Sequence, residues 1–470
     1  MDLTDQRIHD FVSAPATQET IRSTLAALVK IPSVSTGGAP PYVFGPESAA
    51  ALDRMLDIGR QHGFTVENHD YYCGSVVMAG ENCGDEIGII AHLDVVPAVE
   101  GWRYPRYALT VENGLYIGRG VRDDKGPAVA ALAAMLFFQQ NGIRLPFTVR
   151  LLLGCDEERG MHDLPHYLET HRAPRFSFSP DSVFPVCIGE KGIAEVDLDL
   201  GALDGGLLSL RGGNVTNSVA DRAEAAFAAD MRAAVEALAL PEGFACELRD
   251  GLPILTAVGK SAHAAEPDGS VNAIALLARF ILASSLLPDG CRSHGALSYL
   301  CASLADHYGT GLDIAAEDAA TGRLTCICGL AFMKDGALHA DLNIRYPASL
   351  AFTPLYERLS ANAAARGYAA ALVSDSAGYV FSPDKPEIAA LTAAFSAVTG
   401  SDAAPYTMGG GTYARAFPST VAFGAAFSEK ETALGEGRGG AHERDECVRI
   451  EEFNRAVEIF IRALYNLAET

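Results

Sequence analysis

A basic surplus, a long apolar run and a paired-cysteine motif are all missing from this chain of 470 residues. Lysine and arginine number 36 against 59 aspartates and glutamates, a net charge of −23 with a pI near 4.9. That balance argues against nucleic acid or an anionic membrane as partner and leaves solubility as its simplest meaning. The longest apolar stretch, Ala128 to Phe138, is too short to cross a bilayer. Met1 to Asp5 offers neither the basic nor the apolar region of a signal peptide. Ten cysteines are scattered, with one Cys326-Ile-Cys328 and no Cys-x-x-Cys, which excludes a disulfide framework and a thiolate zinc site. Reduced thiols and a cytoplasmic location are therefore expected, where the Asn214-Val-Thr216 sequon has no meaning. Gly435 to Gly440 spells Gly-x-Gly-x-x-Gly but does not directly follow a strand, and Gly409-Gly-Gly411 lacks the Lys-Ser/Thr of a phosphate loop.

What the chain does carry is a set of five small clusters: His92-Leu-Asp94, Asp123-Asp124, Glu157-Glu158, Asp181 and His442. Each follows a buried-strand pattern or a Gly-rich turn, where side chains can be aimed into a common cleft. Two histidines and three carboxylates from separate segments suit a pair of divalent cations. Singly, each has a plainer reading. His92 could be a core histidine satisfied by Asp94, the aspartate pair could be helix N-terminal residues, Asp181 a turn former after Pro180, and His442 a solvated loop residue.

The Asp156-Glu-Glu158 run shifts the balance, because three like charges after the buried run Phe147 to Leu153 repel and lose hydration unless cations offset them. If the segment is extended, Glu157 and Glu158 point oppositely, one toward metal and the other free as a general base. Asp94 is placed to fix the His92 tautomer. Of Asp123 and Asp124, one should ligate while its neighbour caps the helix predicted over Pro127 to Phe138.

In this order the clusters resemble the aminoacylase/carboxypeptidase-type co-catalytic zinc metallopeptidases. Phe184 to Gly192, Gly259 to Pro267, Asn343 to Pro347 and Gly409 to Arg415 resemble the Xaa-His (carnosinase-like) dipeptidase branch. The resemblance implies His92 and Asp181 on one metal, Glu158 and His442 on the other, Asp123 bridging, Glu157 as general base and a cis Asp123–Asp124 peptide. Two ions are implied, zinc ahead of manganese or cobalt, about 3.5–4 Å apart around an activated water. An oxyanion donor is needed as well, and His263 is the candidate, with a surface-loop histidine as the alternative. By resemblance Arg345 clamps a substrate carboxylate and Asn217 adds a polar contact near the oxyanion, although Ala220 stands where the branch commonly has proline.

The expected fold class is α/β: a discontinuous catalytic domain (1–193 and 383–470) with a mixed, mostly parallel sheet, and an inserted α+β lid (194–382) that resembles two subunit-like halves. The resemblance to the dipeptidase branch implies a monomer with an intramolecular lid, acting on small peptides. The expected function is metal-dependent hydrolysis of short unblocked L-dipeptides. An N-acyl-amino-acid deacylase is the alternative within the same fold, and a non-catalytic metal- or peptide-binding relative is the alternative from another class. Glu157 beside Glu158 argues against the last.

Overall fold

The computed structural model describes residues 4–428 and 433–470. Residues 1–3, part of the stretch read for a leader, and 429–432, in the loop before His442, lie outside the described residues. Two compact units are present: Met1–Ile188, Phe381–Tyr406 and Thr412–Thr470 form the first, Gly189–Val380 and Thr407–Gly411 the second. The short excursion Thr407–Gly411 has no counterpart in the boundaries read from sequence.

In the first unit, strands run in the order Thr65–His69, Cys73–Met78, Phe147–Gly154, Asn82–His92, Phe176–Ser179, Thr420–Phe423 and Val186–Glu190. The four central ones are parallel, in registers such as Ile89 opposite Leu151 and Phe178, and Val421 opposite Phe178. The outer pairings are antiparallel. Phe147–Gly154 is covered on both faces and buried along its whole length; it is apolar except for Thr148 and Arg150, whose guanidinium is held by Glu67 and Glu86. The helix Lys125–Gln140 is buried from Lys125 to Phe138, its alanines allowing close approach of Pro15–Val29 and Ile450–Leu467.

Ile450–Leu467 buries Phe453, Val457, Phe460, Ile461, Leu464 and Leu467, a stripe at helical spacing. Each such side chain contributes roughly 1.5–3 kcal/mol on burial. The Phe460 ring meets those of Phe178, Phe184 and Phe423, so Phe460→Ala would cost about 3–5 kcal/mol.

The second unit is an eight-stranded sheet whose pairings are all antiparallel. Its first four strands, from Phe244–Arg249 to Leu207–Gly212, join the other four, from Thr325–Lys334 to Ala369–Ser376, through the Gly212–Ala331 pairing. Along Gly192–Ala202, Ala194, Val196, Leu198 and Leu200 are buried in alternation, and Ala273–Ala283, Arg292–Ser303 and Phe352–Ala364 pack on the unit's core. The molecule is thus an α/β fold with an inserted α+β unit. Among the described residues no helix is long and apolar enough to cross a membrane, and the cysteines are free thiols.

Candidate metal centre and substrate-binding residues

Adjacent parallel strands bring their carboxyl ends to one edge of the first unit's sheet, where α/β folds place ligands. His92 ends its strand opposite Gly154, and the chain continues from Gly154 into the turn bearing Glu157 and Glu158. Asp181 lies two residues beyond the strand Phe176–Ser179. The fully buried His92 has Nε2 3.0 Å from Asp123 Oδ1 and 3.7 Å from Asp181 Oδ2. His442, held in the left-handed region at φ 63°, has Nε2 3.0 Å from Asp123 Oδ2 and 3.1 Å from Glu158. Two donor trios result, His92/Asp123/Asp181 and Asp123/Glu158/His442, each with its ligand atoms within 4.8 Å of one another. Asp123 belongs to both, one oxygen facing each histidine.

Electrostatics at this edge favour cations. Burial alone would lower the proton affinity of both imidazoles, yet hydrogen bonds to Asp123 and its neighbours hold His92 well above its ordinary range and push His442 up to about 11. Burial, then the charge of Asp123, pushes Glu158 up to about 7. Glu157 is raised well above the usual carboxylate range by burial, with Asp181 and Glu158 adding to it against the opposing pull of His92. A pocket that draws protons onto its acids and imidazoles is short of positive charge, and its nitrogen and oxygen donors fit divalent cations of the zinc, manganese and cobalt type.

The supports of these donors differ in part from expectation. His92 Nδ1 lies 3.0 Å from the backbone carbonyl of Asp94 and 3.4 Å from its carboxylate. That carboxylate also accepts the amide N–H groups of Glu157 (3.2 Å) and Glu158 (3.1 Å). The two glutamates sit in a turn, not an extended segment, so alternation along a strand does not separate them. Asp124 occupies the N-cap position of Lys125–Gln140 without capping it, and its Oδ2 accepts the His92 amide at 3.0 Å. The Asp123–Asp124 peptide is cis.

Several participants escaped the sequence reading. Glu446, fully buried, accepts from the amides of Gly120, Arg122 and Asp123 at 2.9–3.1 Å and from Arg119 Nη1 at 2.6 Å. Arg119 in turn donates to the carbonyls of His442 and Glu443 at 3.3 and 3.2 Å, so one buried ion pair ties the Asp123 loop to the His442 loop. Asp163 Oδ2 accepts from Cys155 N (2.7 Å), Asp156 N (2.9 Å) and the Tyr413 hydroxyl, fixing the base of the Glu157 turn. The signal was faint: a glutamate four residues past His442 and an arginine between two glycines.

Asn217, His263 and Arg345 fall in the second unit, close to one another. Ser218 bridges to His263, and the Ala264 amide donates to the Asn217 carbonyl at 2.9 Å. Thr325, opposite Arg345 in the sheet, donates through Oγ1 to the Ala264 carbonyl at 2.7 Å. Arg345 is 5% exposed, which removes the alternative of a solvated strand face, and donates from Nε to Asn343 Oδ1 (2.8 Å) and from Nη1 to the Gly409 carbonyl (3.1 Å). Gly409 itself leaves no room for a side chain, since a Cβ there would lie 2.7 Å from that of Ala265. Asn217 and His263 are exposed.

Residues 88–466 match the model of peptidase family M20/M25/M40. The chain is 30% identical over 467 residues to YtjP of Bacillus subtilis, which bears a provisional dipeptidase name, covering 96% of this chain and 98% of that one. A similarly named protein of Staphylococcus epidermidis is 30% identical over 455 residues, 93% of each. Among solved structures, the di-peptidase Dug1p of Saccharomyces cerevisiae superposes with a TM-score of 0.61 at 14% identity, covering 100% of both chains. Human carnosine dipeptidase 1 does so with 0.58 at 14%, over 99% of this chain and 100% of that one.

Proposed function

Since the chain belongs to peptidase family M20/M25/M40 and is therefore a hydrolase, we infer that it is a metal-dependent dipeptidase acting on short unblocked L-peptides. The observation that carries this reading is the pair of donor trios sharing Asp123 at the strand ends. His92 and Asp181 would hold one divalent cation, Glu158 and His442 the other, with Asp123 between them. When bound, such a pair supplies an activated water and a polarised carbonyl.

The chain's own residues supply the remaining steps. The Glu157 carboxylate takes the proton of the attacking water and returns it to the leaving amine nitrogen, which suits a buried acid with raised proton affinity. Asp94 holds the Glu157 and Glu158 amides, so base and ligand keep fixed places on one turn. Arg345, oriented by Asn343 and Gly409, offers a planar fork to the free carboxylate of a short peptide. His263 and Asn217 supply donors where the oxyanion develops. The second unit acts as a lid serving its own chain's site, in a cytoplasmic monomer.

The test assays chelator-stripped protein on a panel of dipeptides and matched N-acetyl amino acids, with Zn²⁺, Mn²⁺ or Co²⁺ restored separately. Hydrolysis of dipeptides recovered by one of these ions is expected. Turnover confined to the acetylated compounds would make the protein a deacylase, and none with any ion would make it a binding relative.

A further inference from the structure

Glu67, His69 and His171 form a third group of metal-type donors in the first unit, with one ligand atom from each within 4.8 Å of the others. None of the three belongs to the Asp123 cluster. Glu67 and His69 are alternate residues of Thr65–His69 and so share a face, His69 Nε2 lying 3.8 Å from Glu67 Oε2 and 2.9 Å from Ser75 Oγ, a hydroxyl that a bound ion would displace from the ring. His171 is the C-cap of the helix Asp163–Thr170. Its ring stacks on Tyr167 at 4.6 Å and 13°, and Thr170 Oγ1 lies 2.9 Å from its Nδ1. These contacts fix the plane of the imidazole and engage one of its two nitrogens.

The His69 ring meets His171 edge-on at 4.7 Å and Tyr167 at 5.0 Å. Burial, and then the neighbouring His171, lower its proton affinity to about 4, so at neutral pH it is an unprotonated imidazole, the form that ligates. Arg150 Nη1 donates to Glu67 Oε2 at 2.6 Å, which brings one positive charge beside the donors. Its guanidinium is also held by both Glu86 oxygens at 3.0 Å, so two carboxylates already balance that charge.

We propose that Glu67, His69 and His171 bind a borderline divalent cation such as Zn²⁺ at a site separate from the Asp123 cluster. Two imidazoles and one carboxylate select zinc-like ions over magnesium or calcium, and three protein donors leave further positions to water. The ion would clip the C-terminal end of Asp163–Thr170 to the strand Thr65–His69.

The probe is Zn²⁺ on the full-length protein. Chelator-stripped wild type, His171→Ala, Asp123→Ala and the double variant are equilibrated in Zn²⁺-buffered solution, gel-filtered and their bound metal counted by mass spectrometry. His171 is exposed, so its truncation opens no buried cavity, and far-ultraviolet circular dichroism of each variant checks the fold. Wild type should hold one equivalent more than His171→Ala, and Asp123→Ala should keep the equivalent that the double variant loses. Added Zn²⁺ should also raise the urea midpoint of Asp123→Ala but not of the double variant. Equal metal content in wild type and His171→Ala, or in Asp123→Ala and the double variant, overturns the proposal. Failure of the metal assignment at the Asp123 cluster would show instead as an unchanged metal content on replacing Asp123, and failure of the dipeptidase reading as turnover confined to N-acetyl amino acids, so these outcomes separate from failure of the Glu67 site.

Discussion

Glu157 shares a turn with Glu158, yet only Glu158 is bonded to His442, at 3.1 Å. Glu157→Gln keeps the side chain's shape and removes its ability to take a proton. Dipeptide turnover should fall about 10²–10⁴-fold while metal content measured on the same samples stays at the wild-type value. A second residue matters for stability. Asp341 stands directly across the sheet from Asp197, and its Oδ1 is buried without a hydrogen-bond partner, while Asp197 is paired with His339 at 2.8 Å. Burial, then Glu195 and Asp197, push the Asp341 carboxyl up to about 6. An unfolded aspartate releases its proton near about 3.9, so between these values the folded chain binds more protons and stability declines as pH rises. Asp341→Asn should therefore stabilise the protein by roughly 1–3 kcal/mol at pH 8. In urea titrations that gain should vanish below pH 4.

Elements were legible where a single periodicity decides them. The alanine-rich run Pro127 to Phe138 predicts a helix that the structure extends to Lys125–Gln140, the apolar runs predict the central strands, and acids or histidines just past those strands mark the cluster around Asp123. Loops were less so, because their shape depends on distant partners. The Glu157 turn is set by the Asp94 carboxylate and by Asp163 with Tyr413, contacts that no local pattern records. The Glu446–Arg119 pair is of the same kind, joining segments more than 300 residues apart. Glu446→Gln leaves Arg119 buried without its counter-charge and should cost about 3–5 kcal/mol in denaturant unfolding. It should also weaken Zn²⁺ retention in chelator competition, since Asp123 loses an anchor. Arg119→Met combined with Glu446→Gln should recover part of the stability, and equal losses in the single and double variants would remove the ion-pair explanation.

At the scale of the whole molecule, each unit has its own apolar core, one built around Phe178, Phe423 and Phe460 and the other around Leu198, Leu342 and Phe352. Calorimetry should resolve two transitions, and stripping divalent metal should lower only the one belonging to the unit that carries His92 and His442. A single transition that shifts as a whole would show the cores to be one cooperative block. Arg345 illustrates how far sequence reaches at this scale: its residue type and strand were readable, but not its acceptor, the Gly409 carbonyl, which is contributed by the excursion Thr407–Gly411. That excursion makes the inserted unit a mosaic of two stretches, so it cannot be exchanged between relatives as a cassette. A chimera grafting only the longer stretch would pair one parent's arginine with the other parent's glycine loop, and hybrid enzymes should inherit both stretches from the same donor.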